Sequence, residues 1–129
     1  AGAIIFRKNK DLEFLLLKNE FGHWEFVKGH FPLSNLETGA RQEIMEETGV
    51  KEIRFIDGFL QKIFYVKEFE KEIARKTIYF FLMETNENII LSPEHSAYCW
   101  ANHNECLSLL SFPEQKELLQ KARKFIEKG

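Results

Sequence analysis

Residues 29–50 read GHFPLSNLETGARQEIMEETGV, and this stretch decides both the fold and the chemistry of the chain. It predicts a helix from about Leu36 to Thr48. Ser34 or Asn35 is available as the N-cap, and Gly49 follows the last turn, where a left-handed residue belongs. The stretch is therefore a loop that leads into a short helix with well-defined ends.

The helix carries three carboxylates, Glu43, Glu46 and Glu47. At spacings i, i+3 and i+4 they project from one side, close enough for one cation cluster to touch all three. Glu46 and Glu47 fall in the last turn, where the helix dipole disfavours each negative charge by roughly 0.3–1 kcal/mol. A compensating cation is expected, and Mg²⁺ suits carboxylate oxygens best. The alternative interpretation is a solvated acidic helix face.

This segment resembles the Nudix box, whose second half is matched without a gap by residues 43–50. The first half departs from the pattern: Gln42 occupies the arginine position, Ser34 stands where the first glutamate belongs, and the loop is one residue short. Because the arginine and the glutamate of that pair are both missing, no orphaned charge remains. Glu37 and Arg41, at i and i+4, are a candidate substitute brace.

The resemblance extends over nearly the whole chain and narrows the family to its asymmetric diadenosine tetraphosphate hydrolase branch. It implies an α/β Nudix fold, with a mixed β-sheet sandwiched between helices. It also implies water attack on a phosphate of a dinucleoside polyphosphate, which releases a nucleoside triphosphate and a monophosphate. The motifs that carry it are 1–6 (AGAIIF), 13–17 (EFLLL), 23–24 (HW), 28–30 (KGH), 58–59 (GF), 65–66 (YV), 76–77 (KT), 92–98 (SPEHSAY) and Trp100.

The resemblance implies a set of metal ligands and a base. Glu46 and Glu47 are the predicted Mg²⁺ ligands, with Mn²⁺ as an alternative ion, and the Gly29 carbonyl is a backbone ligand. Glu43 is either the general base or a further ligand. Glu94 is a candidate distal ligand, for which an exposed loop carboxylate is the alternative.

Three cationic or imidazole side chains are candidate phosphate contacts: Lys28, His30 and Lys76. Tyr65 is the candidate adenine platform, since stacking on a ring tolerates any base. A lone lysine is more often simply solvated, and an aromatic side chain is more often part of the core. These four assignments therefore depend on the resemblance.

Length and composition limit the number of domains and the classes of binding partner that the chain can have. The 129 residues predict one domain, 1–129, with 44% hydrophobic and 29% charged residues typical of a globular protein. A net charge of −2 gives no reason to expect general nucleic-acid or membrane binding. Cys99 and Cys106 lack metal-site spacing, which favours buried thiols in a reducing compartment. We expect a cytoplasmic monomer without a membrane span.

The order of elements is predicted as β-β-β-α-β-β-β-α. A final helix is expected, with Ser111 as its cap and Pro113 in its first turn, after a short helix at 107–110. The predicted strands are 1–6, 13–18, 24–27, 53–67, 75–85 and 98–101.

Three functions remain open at this point. The first is Mg²⁺-dependent hydrolysis of diadenosine tetraphosphate or a close relative. The second uses the same helix on a nucleoside triphosphate or a 5′-triphosphorylated RNA. The third is a nucleotide-binding module of the same fold with little or no catalysis, suggested by Gln42 and the shortened loop.

Overall fold

The computed structural model of the chain describes residues 2–28, 36–69, 72–91 and 95–128; for 36–37, 65–69 and 72–76 it describes the backbone alone. Within these ranges the elements are β1 (Gly2–Lys8), β2 (Leu12–Lys18), β3 (Trp24–Glu25), β4 (Val27–Lys28), α1 (Leu36–Thr48), β5 (Arg54–Phe69), β6 (Glu72–Glu84), β7 (Ala97–Ala101), α2 (His103–Leu109) and α3 (Pro113–Lys128).

The seven described strands form one mixed sheet. Strand β1 runs parallel to β6 on one side, from Gly2 opposite Phe80 onwards, and antiparallel to β2 on the other. The long β5–β6 hairpin forms one edge, and β7 pairs with the outer side of β2. The predicted mixed sheet is therefore confirmed.

Successive side chains of the central strands point to opposite faces of the sheet, and each face therefore has its own hydrophobic core. Ile4 and Phe6 of β1 pack with residues of α2 and α3, whereas Ala3 and Ile5 pack on the opposite face with Ala40 and Ile44 of α1. Since successive strand side chains point to opposite faces, a fully buried strand must be apolar throughout. The sheet is thus sandwiched between α1 and the α2–α3 pair, as predicted.

Strands β1 and β2 separate at one end, and residues 24–28 lie between them. Trp24 and Glu25 pair with β2, while Val27 and Lys28 pair with β1. Phe26, buried at 1% exposure, lies where the segment crosses from one partner to the other. The prediction of a single strand over 24–27 was wrong for this reason. The crossing brings Glu25 and Lys28 to the same end of the sheet.

The helix bounds agree with the sequence in α1 and differ in α2. Helix α1 spans Leu36–Thr48 as predicted. Helix α2 starts at His103 rather than near 107, because Asn102 and Glu105 form a reciprocal capping box. The side chain of Asn102 accepts from the Glu105 N–H at 2.9 Å, and Glu105 accepts from the Asn102 N–H at 3.0 Å.

Both cysteines are free thiols. Cys106 is the buried residue of α2, and its Sγ donates to the Ala101 carbonyl at 3.4 Å. Burial raises the pKa of Cys106 to about 12, so this thiol is protonated near neutral pH. Cys99 is only partly buried. Within the described ranges, no helix combines the length and the apolar character that crossing a bilayer requires.

Candidate functional site

The three glutamates of α1 differ in their exposure to water. Glu47 is buried, with 7% of its surface exposed, while Glu43 is half-buried and Glu46 is exposed. The Gln42 amide donates to Glu46 Oε1 at 3.3 Å, one turn along the helix. The residue in the arginine position of the box therefore contacts one of the predicted metal ligands, a contact that the sequence did not suggest.

The C-terminal end of α1 is closed by several hydrogen bonds. Gly49 has φ = 73° and donates its N–H to the Met45 carbonyl at 2.9 Å, as a helix-terminating left-handed residue does. The Ile90 N–H donates to the Thr48 carbonyl at 2.8 Å. Since the last carbonyls of a helix have no partner within it, these bonds fix the turn that carries Glu46 and Glu47.

Arg41 joins the middle of α1 to the sheet. Its guanidinium donates to the Ile53 carbonyl at 2.8 Å and lies 5.2 Å from the centre of the Phe55 ring. The brace predicted between Arg41 and Glu37 involves a side chain outside the described part of the structure. The contact with Ile53 was not predicted from the sequence, because it joins a residue of α1 to a carbonyl twelve positions further along the chain, just before β5.

Among the side chains that the structure describes, no three His, Cys, Asp or Glu groups lie close enough together to form a metal site. The predicted ligands Gly29 and Glu94, like the predicted phosphate contact His30, lie outside the described residues. Both flanks of 92–94 are held in place, however. Ile90 bonds to the end of α1, and His95 Nε2 lies 3.9 Å from Glu25 Oε1.

A cavity of about 700 Å³ opens beside Glu25 and Lys28. This volume is in the range of small-molecule sites, and an apolar lining with a few polar groups is typical of them. The aromatic rings that line it include Phe21 and His23 before β3, Phe64 on β5 and Phe112 before α3. The other lining residues are Asn19, Trp24, Glu25, Lys28, Ile63, Ile78, Phe80, Glu114 and Gln115.

Two of the rings in this cavity are in contact with each other. The His23 imidazole and the Phe112 ring have centroids 5.7 Å apart at an interplanar angle of 54°. Ser111 Oγ lies 3.5 Å from His23 Nδ1. Ser111 was predicted as the cap of α3, but the cap is Phe112, one residue later. The Phe112 carbonyl accepts the first hydrogen bonds of α3, from the N–H groups of Gln115 and Lys116.

Of the predicted substrate contacts, Lys28 alone has a described side chain. It is exposed on β4, and its Nζ lies 3.3 Å from Glu25 Oε2. Tyr65 and Lys76 occupy opposite positions in the β5–β6 register, so their backbones are neighbours. Their side chains, and with them the predicted adenine platform, lie outside the described part.

The sequence missed the aromatic cavity for a simple reason. With 13 phenylalanines in the chain, no single one stands out, and the lining rings are separated by more than forty residues between Phe21 and Phe64 and again between Phe64 and Phe112. Trp24 and Phe80, interpreted as core residues, also line the cavity. An exposure of 78% at Phe21 marks it as a candidate contact, but exposure is not visible in a sequence.

Comparison with known proteins gives consistent results. The model of the NUDIX domain family matches residues 1–127. The chain is 38% identical to the mouse (Mus musculus) protein named bis(5′-nucleosyl)-tetraphosphatase [asymmetrical], covering 97% of this chain and 92% of that one. A protein of the same name from pig (Sus scrofa) is 36% identical over the same shares. The crystal structure of a C. elegans Ap4A hydrolase binary complex superposes with a TM-score of 0.85 and 25% identity, over 99% of this chain and 96% of that one.

Proposed function

We propose, from the premise that this chain belongs to the NUDIX domain family, that it hydrolyses diadenosine tetraphosphate to ATP and AMP. The predicted Nudix fold and the predicted enzyme branch are both confirmed by the comparisons. The observation that carries the substrate is similarity along the whole chain, at 36–38% identity, to proteins named for cleaving bis(5′-nucleosyl) tetraphosphates.

Mg²⁺ is the proposed cofactor, with Mn²⁺ as an alternative ion. Its ligands would be Glu46, Glu47, the Gly29 carbonyl and Glu94, with Glu43 as a further ligand or as the base that deprotonates the attacking water. The donor set fits, because all of its atoms are the hard oxygens that Mg²⁺ prefers. Glu47 is buried in the last turn of α1, beside the negative end of the helix dipole, where a divalent cation would bind favourably.

Glu94 is included as a ligand because of the family resemblance. Among the described residues near it in sequence, Ile90 donates to the last turn of α1 and His95 approaches Glu25. When bound, the metal would neutralise charge that develops on the phosphate oxygens.

The substrate would be held by phosphate contacts and by stacking. Lys28, His30 and Lys76 are the proposed phosphate contacts, and Tyr65 remains a proposed adenine platform. The aromatic cavity adds a described place for a base, between Phe112 and the other rings that line it. Stacking contributes roughly 1–3 kcal/mol per base, and a cavity of this size buries most of a nucleoside.

The same proposal includes one domain over 1–129, a monomeric state and a cytoplasmic location, which depend on composition alone.

A nucleotide-binding module with little catalysis is the second candidate. The residue in the arginine position of the box is Gln42, and its amide contacts Glu46, a proposed metal ligand. Cleavage of a nucleoside triphosphate or of an RNA 5′ end would use the same helix and is separated from the leading proposal by the choice of substrate.

The test incubates the protein with diadenosine tetraphosphate and Mg²⁺ and resolves the products by chromatography. ATP and AMP are expected in equal amounts. Glu46→Gln should lower kcat by about 100-fold or more, since the charge stabilisation that a metal supplies is worth several kcal/mol. Glu117→Gln, which removes an exposed i,i+4 partner of Lys121 on α3, is the matched control and should leave kcat unchanged.

Direct titration of the protein with Mg²⁺ provides a readout that does not depend on turnover. Heat of binding that is present in the wild type and weakened in Glu47→Gln supports the ligand assignment. Tight nucleotide binding without any product, in the wild type as well, would refute the enzyme in favour of the binding module. Turnover of ATP or triphosphorylated RNA at a higher kcat/KM than the dinucleotide would refute the substrate.

A further inference from the structure

Glu25, on β3, is a buried carboxylate at the junction between the aromatic cavity and the proposed phosphate contacts. Only 8% of its surface is exposed. Its Oε2 accepts from the Asn19 amide at 3.2 Å and lies 3.3 Å from Lys28 Nζ, and its Oε1 lies 3.9 Å from His95 Nε2. Burying a carboxylate is costly unless it is paired and hydrogen-bonded, and here the pairing groups come from three different segments.

Asn19 transmits the position of Glu25 to the turn that carries two cavity rings. Its Oδ1 accepts from the N–H groups of Phe21 and His23, at 2.9 and 3.0 Å. Its own N–H donates to the His23 carbonyl at 2.9 Å. Since the Asn19 oxygen is committed to the turn, its amide nitrogen is directed at Glu25. The turn is thereby tied to the buried carboxylate through a single side chain.

Lys28 is held by Glu25 from the other side. Its side chain retains 42% exposure, so it can reach a ligand in the cavity while one face of the ammonium is paired. Lysine loses more rotamer freedom on ordering than almost any other side chain. A partner that restricts the ammonium before substrate arrives removes part of that cost, which is the advantage of preorganisation. The carboxylate also competes with phosphate for the ammonium, but it pairs with one face of a lysine head group that has three donors and stays partly open to water.

We propose that Glu25 is a positioning residue of the substrate site, which fixes the Lys28 ammonium and the aromatic turn at 19–23 relative to each other. This inference depends on the proposed function, in that Lys28 must contact a phosphate of the substrate. Glu25 also lines the cavity, but it is much less exposed than Lys28 and acts on substrate binding through that lysine. The residue affects how well substrate binds rather than how fast the bound substrate is cleaved.

The test begins with Glu25→Gln, which keeps the length of the side chain and an oxygen that accepts from Asn19, but removes the charge that holds Lys28. KM for diadenosine tetraphosphate should rise about three- to tenfold, with kcat within about twofold of wild type, as expected when binding alone is weakened. The Kd for ATP, measured by calorimetry, should rise in parallel. Glu13→Gln, which breaks the 2.9 Å ion pair with Arg7 on β1–β2, is the control and should leave both constants unchanged.

A double-mutant cycle separates positioning from general stabilisation. In a Lys28→Met background, Glu25→Gln should change KM and the Kd for ATP by less than about twofold, because the group it acts through is absent. The same fold-change in both backgrounds would show a structural role and overturn the proposal. So would an unchanged or lowered KM in Glu25→Gln alone.

If Glu25→Gln does not fold, Glu25→Asp replaces it in both backgrounds. This variant keeps the charge but withdraws the carboxylate from both Lys28 and Asn19 by about one methylene, so KM should rise more where Lys28 is present than in the Lys28→Met background. A failure of the proposed function can be distinguished from a failure of this inference. If the wild type yields no ATP and AMP, hydrolysis is refuted, while the Kd series for ATP still decides the role of Glu25, and an absence of ATP binding would overturn both.

Discussion

Replacement of Gly49 by alanine tests the argument that the end of the acidic helix is closed by a residue that has to be glycine. Gly49 has φ = 73°, a conformation that L-residues with a Cβ rarely adopt. A Cβ added there would lie 2.9 Å from the Cβ of Ile90. Ile90 cannot simply move away, because its N–H bonds to the Thr48 carbonyl at the end of the helix.

The expected cost has two parts. The left-handed conformation costs an alanine roughly 1–2 kcal/mol, and an overpacked contact that forces backbone movement costs about 1–3 kcal/mol more. Gly49→Ala should therefore lower the free energy of unfolding by about 2–5 kcal/mol. Gly22→Ala is the matched control, since Gly22 has φ = 82° but nothing within 4 Å of its added Cβ. It should cost about 1–2 kcal/mol, the conformational part alone.

The assay is urea denaturation of both variants, with unfolding monitored by circular dichroism. The difference between them isolates the contact with Ile90. Equal losses in the two variants would show that the contact is relieved without cost and refute the reasoning. Because Ile90 also closes the turn that carries Glu46 and Glu47, through its bond to the Thr48 carbonyl, Gly49→Ala should also lower kcat, measured where the variant is still fully folded.

Three further outcomes follow from the described contacts. The Cys106 thiol, with a pKa raised to about 12 by burial, should resist alkylation at pH 9 in the folded protein and react readily in urea, as mass spectrometry of the labelled chain would show. Thr48→Val should cost about 1–3 kcal/mol of unfolding free energy, because it removes the buried hydroxyl that accepts from the Val50 N–H at 3.3 Å; a loss below about 0.5 kcal/mol would contradict the burial argument. Gln42→Arg should leave kcat/KM no higher than in wild type and raise the Mg²⁺ concentration needed for half-maximal rate, because it puts a positive charge beside Glu46; a gain above about tenfold would contradict it.

The sequence predicted α1 well because every determinant of that helix is local. Its last residue, its left-handed Gly49 and the spacing of its glutamates all lie within one stretch. The start of α2 is also determined locally, by the capping box of Asn102 and Glu105, and the predicted start near 107 was wrong because it did not include this pair. By contrast, the crossing of residues 24–28 between β1 and β2 depends on two strands diverging, which no local pattern records.

The candidate site divides in the same way. The spacing of the α1 glutamates suggests candidate ligands from sequence alone, and their role stays a prediction. The ring cavity could not be predicted, since Phe21, Phe64 and Phe112 meet only once the sheet is assembled. The pairing of Glu25 could not be predicted from the sequence for a related reason. On a short strand it reads as an ordinary alternating polar residue, and its importance comes from burial and from partners at 19, 28 and 95.

The altered first half of the Nudix box raises the question of what holds the acidic helix in place without the usual arginine and glutamate. The described contacts offer an answer that does not involve the loop at 29–35. Arg41 ties the middle of the helix to the Ile53 carbonyl and the Phe55 ring, Ile90 caps its end, and Ala40 and Ile44 are fully buried against the sheet. A helix fixed along one face and at its end retains the direction of Glu46 and Glu47 whatever the loop does. Loss of the bracing pair should therefore affect how the loop presents Gly29 and His30 more than it affects the helix carboxylates.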